Sequence, residues 1–421
     1  MRIELVNTGS ELTLGLVLNT HLQWLGRRLS ALGRPIERQC AVPDTAAGIR
    51  QAVIEAIPRA DLIITTGGLG PTSDDLTRSE LADLFRAPLR MNTEALANIE
   101  RIFGIRGRKP PESTLVQALA PEGAMVLQNQ NGTAPGLAMR IPPHLLDQAG
   151  RKVWLIMLPG PPRELYPMFD AQAVPLIERE FPLENGYSSL TLRTTGMGES
   201  LVEERIAPPL ADLVKEGLEI GYCARMGEVD VRLSGYGEKA TSIMARAEEI
   251  VRRLLGRHIY GTGDETQEAA LIRLLTVRGE TLAVAESCTG GLVGHRLTNV
   301  PGASAVLLAD LVTYSNEAKQ KLLGVRSETL AAHGAVSAET AAEMAEGARR
   351  VTGATHGIAA TGIAGPGGGF REKPVGTVYI AAAAPTGTET RRMFNPVDRE
   401  GFKMMSANQV LSLLRTSLPE R

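Results

Sequence analysis

The sequence predicts an α/β protein in which two α/β layer domains are joined by a small α+β unit. Three observations carry that reading. Short apolar strand patterns alternate with helical ones over the first ~170 residues, the texture changes between about residues 173 and 257, and a complete alternation restarts at 264. The length of 421 residues agrees, because single cores stop growing at roughly 250–300 residues. The expected boundaries are therefore 1–172, 173–257 and 264–421.

In the first part, Ile3 to Thr8 reads as a buried strand broken by Gly9. Leu18, Leu22, Leu25, Leu29 and Leu32 recur at helical spacing, and Gly33 closes that helix. Pro35 to Val42 is a second strand, after which Asp44 caps a helix carrying Ile49, Val53, Ile54 and Ile57. Asp61 to Thr66 forms a third strand ending in Gly67-Gly68. Val153 to Leu158 forms another, followed by Pro159-Gly160-Pro161-Pro162. This order implies a parallel sheet covered on both faces.

In the middle, apolar alternation in Leu190–Thr194 and Val229–Leu233 flanks helical stretches near Leu201–Leu213 and Thr241–Leu255, without a catalytic cluster. His258 to Thr266 reads as a linker. In the last part, Thr266 with Gln267 and Glu268 opens a helix that Gly279 ends. Thr281 to Ala285 is a strand, and Glu286-Ser-Cys-Thr-Gly-Gly291 turns into a helix running through Leu297. Further strands are expected at Ala305–Thr313, Gly357–Thr361 and Gly376–Ala382.

Composition narrows the function. The 45 basic and 47 acidic residues leave a net charge of -2, no basic block stands out, and aromatics are 4% of the chain, so no nucleic-acid partner is expected. The three cysteines, Cys40, Cys223 and Cys288, lie far apart with no CxxC between them. Reduced thiols are a simpler account than a disulfide framework or a zinc site. No signal peptide or membrane-spanning pattern is visible, so the expectation is a cytoplasmic protein without a membrane partner.

Ser287 stands between a buried strand and a new helix. A nucleophile there would sit at a helix N-terminus, whose unpaired N–H groups can hold an oxyanion. Gly290 and Gly291 would let the backbone approach a reacting carbonyl. A hydroxyl needs a base, and Thr313-Tyr-Ser-Asn-Glu-Ala-Lys319 supplies a candidate pair, Tyr314 and Lys319, at a strand-to-helix junction. A partly buried lysine can lose its proton near neutral pH. The plainer alternative is that ESCTGG only caps a helix. The glycine-rich loop Thr361-Gly-Ile-Ala-Gly-Pro-Gly-Gly-Gly369 suits close ligand approach or a surface turn. Arg399 suits either a phosphate or solvent. On chemistry alone Cys288 rivals Ser287.

Taken together, AESCTGG, TYSNEAK, HGAVS, TGIAGPGGG and KPVGTVY resemble the C-terminal domain of the CinA family, the nicotinamide-nucleotide amidase, over residues 264–418. The resemblance implies hydrolysis of nicotinamide mononucleotide to nicotinic acid mononucleotide and ammonia without a metal. It carries over Ser287 as nucleophile, Lys319 as its base and Tyr314 as support for both. Thr289, Gly290, Gly291, Thr361, Gly362 and Arg399 fall around the substrate. The family usually has glycine before the final Asp-Arg, whereas this chain has Val397 before Asp398 and Arg399. A valine resists positive φ, so a different local loop is expected.

Three N-terminal turns follow strands: Thr8-Gly-Ser-Glu11, Thr66-Gly-Gly-Leu-Gly-Pro-Thr-Ser-Asp-Asp75 and Leu158-Pro-Gly-Pro-Pro-Arg-Glu164. Such turns gather at the carboxyl edge of a doubly wound sheet, where ligands bind. Gly9, Ser10, Gly67 and Gly68 could cradle phosphates there. Glu11, Asp74 and Asp75 supply hard oxygens for a divalent cation, although helix capping explains Ser10 and Asp74 equally well. TTGGLGPTSDDLT, NGTAPG and LPGPPRE resemble the molybdopterin-binding (MoaB/MogA-like) domain of full-length CinA proteins. That resemblance implies hydrolysis of ADP-ribose with a divalent metal (Mg, Mn or Co). The middle segment resembles the family's KH-like connecting domain, and the whole implies a homodimer. Gly196–Glu199 is not the GXXG clamp of RNA-binding KH domains. A bifunctional nucleotide hydrolase, a molybdopterin-binding protein and a competence-related interaction protein are the three classes in play.

Overall fold

The computed structural model describes residues 1–105, 107–146, 150–183 and 186–419, so the end of the expected last domain, 420–421, lies outside the described residues. The chain divides into two compact units, Met1–Tyr187 and Ser188–Arg421.

The first unit is built on a six-stranded sheet. Its strands are β1 (Ile3–Thr8), β2 (Ile36–Val42), β3 (Leu62–Thr66), β6 (Met125–Leu127), β7 (Gly136–Arg140) and β8 (Trp154–Leu158), while β4 (Leu89–Met91) and β5 (Leu119–Pro121) form a separate antiparallel pair. The order is β2-β1-β3-β8-β7-β6. Strands β2, β1, β3 and β8 run parallel, but β7 and β6 are antiparallel to their neighbours. The sheet is therefore mixed, not parallel throughout as the alternation implies, because the short strands β6 and β7, between 125 and 140, pair without a crossover helix between them.

Period-two burial splits the apolar residues into two cores. Ile3, Leu5, Leu62, Ile64, Trp154 and Ile156 face one side, with Leu25 and Leu29 of helix Thr20–Ala31. Val6, Ile63, Leu155 and Met157 face the other, with Ile49 and Val53 of helix Ala46–Ala56. Asn19 caps helix Thr20–Ala31, which leaves Leu18 outside it and exposed. Thr45, not Asp44, caps helix Ala46–Ala56 by accepting from Gly48 N, because Asp44 instead accepts from Ser10 N. The unit also runs past the expected boundary at 172: Val174, Leu176 and Ile177 of helix Val174–Glu180 pack into its core.

The second unit holds two sheets. Strands β9 (Tyr187–Thr195), β10 (Glu219–Arg225), β11 (Glu228–Tyr236) and β12 (Ile259–Thr262) form a four-stranded sheet, β10-β11-β9-β12. Helices Glu199–Lys215 and Ala240–Leu255 share a core with it through Val202, Ile206, Ala247 and Val251. Strand β12 lies in the stretch expected to be a linker. Its residues pair antiparallel with β9, and Tyr260 is buried with its hydroxyl accepting from Arg193 Nε at 3.0 Å. A segment rich in Gly and polar residues thus closes a sheet, and direct bonds tie this small fold to residues 264–418. Gln267 Nε2 donates to Glu228 at 2.9 Å, Asn408 Nδ2 donates to Met226 O at 2.6 Å, and Arg257 donates to the carbonyls of Thr416 and Leu418.

The second sheet contains β13 (Leu282–Glu286), β14 (Leu307–Val312), β15 (His356–Gly362), β16 (Thr377–Ala384) and β17 (Gly387–Phe394), in the order β14-β13-β15-β16-β17. The first three are parallel, and β16 and β17 antiparallel. Leu282, Val284, Ile358 and Ile380 face helices Gln267–Arg278, Leu292–Thr298 and Arg399–Ser417. The opposite face is nearly all alanine (Ala283, Ala285, Ala359, Ala381 and Ala383), and it receives Ala341, Met344 and Ala345 of helix Ala338–Thr352. Small residues bring backbones close here: a Cβ on Gly357 would lie 2.1 Å from Ala345 O. Among the described residues no helix is long and apolar enough to cross a membrane.

Candidate active site

Strand β13 delivers Glu286 to the sheet edge, and the chain turns through Ser287–Gly291 before helix Leu292–Thr298 begins. Gly290 (φ 63°) and Gly291 (φ 93°) take left-handed conformations that a side chain would strain. Ser287 is 8% exposed, and its N–H donates to Ala360 O of β15 at 3.1 Å. The helix terminus differs from expectation. The N–H groups of Gly291 and Gly294 each donate to the Glu286 carboxylate at 2.8 Å, so they are not free for an oxyanion.

Lys319 reaches the same point from helix Asn316–Leu323, capped by Ser315, which accepts from Ala318 N. It is 1% exposed. Its Nζ lies 3.0 Å from Ser287 Oγ, 2.8 Å from Thr313 O and 3.3 Å from Tyr314 O. Burial holds the amine below the usual lysine range, opposed by the neighbouring Cys288. In the neutral amine, two N–H bonds would serve the two carbonyls and leave the lone pair for the serine hydroxyl. Cys288 is a poor rival, since burial pushes its thiol up to about 12.

Other expected residues divide. Tyr314 meets Lys319 through its carbonyl. Its exposed phenol instead accepts from Arg399 Nη2 at 3.1 Å, so the side chain supports Arg399 rather than the serine and lysine. Arg399 Nη1 donates to Gly365 O at 2.7 Å, which joins the glycine-rich loop to Tyr314. Asp398 caps helix Arg399–Ser417 through Gly401 N. Among the described residues only Arg86 has positive φ outside glycine, so Val397 takes no left-handed turn. Thr361 is buried and donates to Ala335 O at 2.7 Å. Thr289 is buried, with its hydroxyl unpartnered. Gly362 is a packing residue, since a Cβ there would meet Thr377 O at 2.8 Å and Phe402 Cζ at 2.9 Å.

In the first unit, a cleft of about 590 Å³ is lined by Gly9, Glu11, Gly67, Gly68, Asp74 and Asp75. Ser10 is turned away: its N–H donates to Asp44 and its hydroxyl accepts from Asp44 N. The glycines let turns touch, for a Cβ on Gly67 would lie 2.6 Å from Thr8 O and one on Gly68 2.0 Å from Thr77 Oγ1. Asp75 accepts from Thr72 N at 2.9 Å and Thr72 Oγ1 at 2.5 Å. Among the described residues no three His, Cys, Asp or Glu side chains converge to hold a metal. Glu11, Asp74 and Asp75 therefore share a cleft without forming a closed cage.

The cleft also holds groups missed by sequence reasoning. His21 Nδ1 lies 3.0 Å from Thr66 Oγ1, and burial lowers its pKa. Outside the lining and fully buried, Asn7 donates to Thr66 Oγ1 at 2.7 Å and accepts from Asn19 at 2.8 Å. Glu164 is buried and accepts from Asn129 at 2.8 Å. The polar run Asn19-Thr20-His21, breaking a leucine pattern, is the signal that could have found His21.

Three family models match in sequence order: the probable molybdopterin binding domain over 4–179, the damage-inducible protein CinA KH domain over 189–261, and the CinA C-terminal domain over 264–418. A protein of Moorella thermoacetica is 44% identical over 421 residues, 99% of each chain. A CinA-like protein of Akkermansia muciniphila is 42% identical over 413 residues, 98% of this chain and 96% of that one. The crystal structure of the competence/damage inducible protein CihA from Agrobacterium tumefaciens is 41% identical, covering 36% of this chain and 92% of that chain, with a TM-score of 0.35. Full-length identity at this level, with all three domain models in order, means that the chain belongs to the CinA family.

Proposed function

We propose that residues 264–421 form a serine amidase that converts nicotinamide mononucleotide to nicotinic acid mononucleotide and ammonia. The observation that carries this reading is the buried Lys319 amine 3.0 Å from Ser287 Oγ, with two carbonyls filling its remaining donors. Lys319 takes the hydroxyl proton as Ser287 attacks the carboxamide carbon. It then passes the proton to the departing nitrogen, ammonia leaves, and an ester remains on Ser287. Water, deprotonated by Lys319, attacks that ester and regenerates the serine. Arg399, held by Gly365 and Tyr314, would pair with the nucleotide phosphate. No group in this sequence of steps calls for a metal. Ammonia release from nicotinamide mononucleotide tests the reading; a protein that binds the nucleotide and releases no ammonia would overturn it.

A second reading concerns residues 1–172, for which the carboxylate-lined cleft supports a metal-dependent ADP-ribose pyrophosphatase. A hard ion that keeps its waters and takes one or two carboxylates plus substrate phosphates suits Glu11, Asp74 and Asp75 better than a closed cage does. Such an ion would neutralise two adjacent phosphates. ADP-ribose hydrolysis with added Mg, Mn or Co, against chelator, tests this. Molybdopterin binding without hydrolysis is the alternative outcome. The three free cysteines suit a reducing cytoplasm, and a homodimer, without nucleic acid or membrane partners, completes the reading.

A further inference from the structure

Behind the turn that carries Ser287, two carboxylates meet. Glu286 is fully buried. Its main-chain carbonyl accepts from Thr313 N at 2.8 Å, while its carboxylate accepts from Gly291 N and Gly294 N. One residue thereby holds both ends of the turn on which the nucleophile sits. Asp310 of β14 lies opposite Val284, on the face covered by helix Leu292–Thr298. Its carboxylate presses on that helix, where a Cβ on Gly294 would lie 2.1 Å from Oδ2. It lies beside the Glu286 carboxylate, with Gly294 meeting both groups, and its Oδ1 is buried without a partner.

Two neighbouring carboxylates, one fully buried and one half-buried, do not both ionise cheaply. Both Glu286 oxygens already accept N–H bonds, so the shared proton belongs on Asp310, which can donate it toward Glu286. Burial and the Glu286 charge push Asp310 up to about 7. Other charges nearby are committed elsewhere. On helix Leu292–Thr298, His295 is exposed beside Asn299, and Arg296 binds Glu268 and Asn408. The short helix Ala303–Ala305 carries no charge. On helix Ala338–Thr352, against the other sheet face, Glu339 lies beside His333, Glu343 pairs with Arg326, Glu346 binds Thr388, and Arg349 and Arg350 bind carbonyls. Beside the turn itself, Cys288 and Lys319 are the remaining titratable groups.

We propose that Asp310 is a positioning residue for the serine and lysine: while it carries the proton shared with Glu286, the Glu286 clamp holds the Ser287 turn against Lys319, and when that proton leaves, repulsion between the carboxylates loosens the turn. The inference rests on the amidase reading. Its signature is a fall in kcat on the alkaline side of neutrality, set by a carboxyl rather than by the nucleophile or base.

The test pairs a pH profile of ammonia release with carbon-13 NMR of aspartate-labelled full-length protein. Asp310→Asn can donate the same hydrogen bond but cannot ionise. It should raise the ratio of kcat at pH 9 to kcat at pH 6 at least about fivefold, because a group titrating near 7 is about 99% ionised at pH 9. KM should move little. In the wild type one aspartate resonance should titrate near 7, and Glu286→Gln, which removes the adjacent charge, should return it toward the ordinary range. If every aspartate titrates in the ordinary range, the shared proton is overturned, whatever the substrate. If one titrates near 7 but Asp310→Asn keeps the alkaline fall, the positioning role is overturned. A titration near 7 with no ammonia at any pH keeps the carboxylate pair and overturns the amidase reading instead.

Discussion

The two candidate sites are organised in opposite ways. In the second unit, Ser287 and Lys319 are buried, in contact, and held by backbone groups from β13, β15 and the 313–315 turn. In the first unit, Glu11 and Asp74 are exposed, and Asp75 is engaged with Thr72. Covalent catalysis by a hydroxyl requires nucleophile and base to be in register before substrate arrives, since preorganisation lowers the barrier. A hard cation bridging carboxylates to phosphates completes its shell with ligand and water, so its residues need only line a cleft. The comparison also accounts for which carboxylates are costly to bury: Glu286 is buried and Asp310 half-buried beside the assembled site, whereas Glu11 and Asp74 remain solvated.

The largest effect that could break this comparison is at the nucleophile. Ser287→Ala should lower ammonia release at least about a thousandfold, as expected for losing an attacking oxygen. ADP-ribose hydrolysis should stay within twofold of wild type. Cys288→Ala should cost far less, because the thiol stays protonated. A serine variant that keeps a tenth of its activity, alongside an inactive cysteine variant, would reassign the nucleophile.

Next comes the base. Lys319→Met fills the same buried channel without a lone pair, and turnover should fall by about 10²–10⁴. In Asp310→Asn, where the carboxyl no longer titrates, kcat should rise with pH through the depressed lysine value, since the working form is the neutral amine. A rate that falls through that range in this variant would mean the ammonium is the working form.

A smaller effect, of at least about tenfold, is expected in the other unit from Asp74→Asn combined with Asp75→Asn, the typical minimum for disturbing a metal's surroundings. ADP-ribose hydrolysis should drop and ammonia release should hold, and excess chelator should reproduce the split. If chelator silences ammonia release too, the two sites do not differ in the way proposed. If neither treatment touches ADP-ribose hydrolysis, the carboxylates serve only the turn, as the Thr72 bonds to Asp75 already do.

Legibility in the sequence tracks the range of each interaction. Ile3–Thr8 and the strand closing on Glu286 were legible because period-two apolar runs are local, and so was helix Gln267–Arg278, with Thr266 before it and Gly279 after it. Strand β12 was not legible, because Ile259–Thr262 is a strand only by virtue of pairing with β9, some 65 residues earlier. The Ser287–Lys319 pairing followed from motif and resemblance together. The roles of Glu286 and Asp310 were hidden: a carboxylate at a strand end reads as solvated until the fold places Gly291, Gly294 and a second carboxylate around it. His21 was concealed by a leucine pattern that continues across the true helix start.

The smallest expected effect sharpens the comparison within the assembled site, separating the groups that react from those that only hold substrate. Sequence reading expects Tyr314 to support Ser287 and Lys319 directly. In the structure only its carbonyl touches Lys319, and the phenol holds Arg399 from an exposed position. Tyr314→Phe keeps the carbonyl and loses one hydrogen bond to a guanidinium that Gly365 still anchors at 2.7 Å. Hydrogen bonds to charged groups contribute about 1.5–3 kcal/mol when buried, and solvent reduces that here to about 0.5–1 kcal/mol. KM for nicotinamide mononucleotide should therefore rise about two- to fivefold with kcat nearly unchanged, the pattern of lost uniform binding. The shift should shrink for the nucleoside lacking the phosphate, because Arg399 then has no anion to hold. A fall in kcat at constant KM would instead place the phenol with the reacting groups, and the division between Ser287–Lys319 and Tyr314–Arg399 would have to be redrawn.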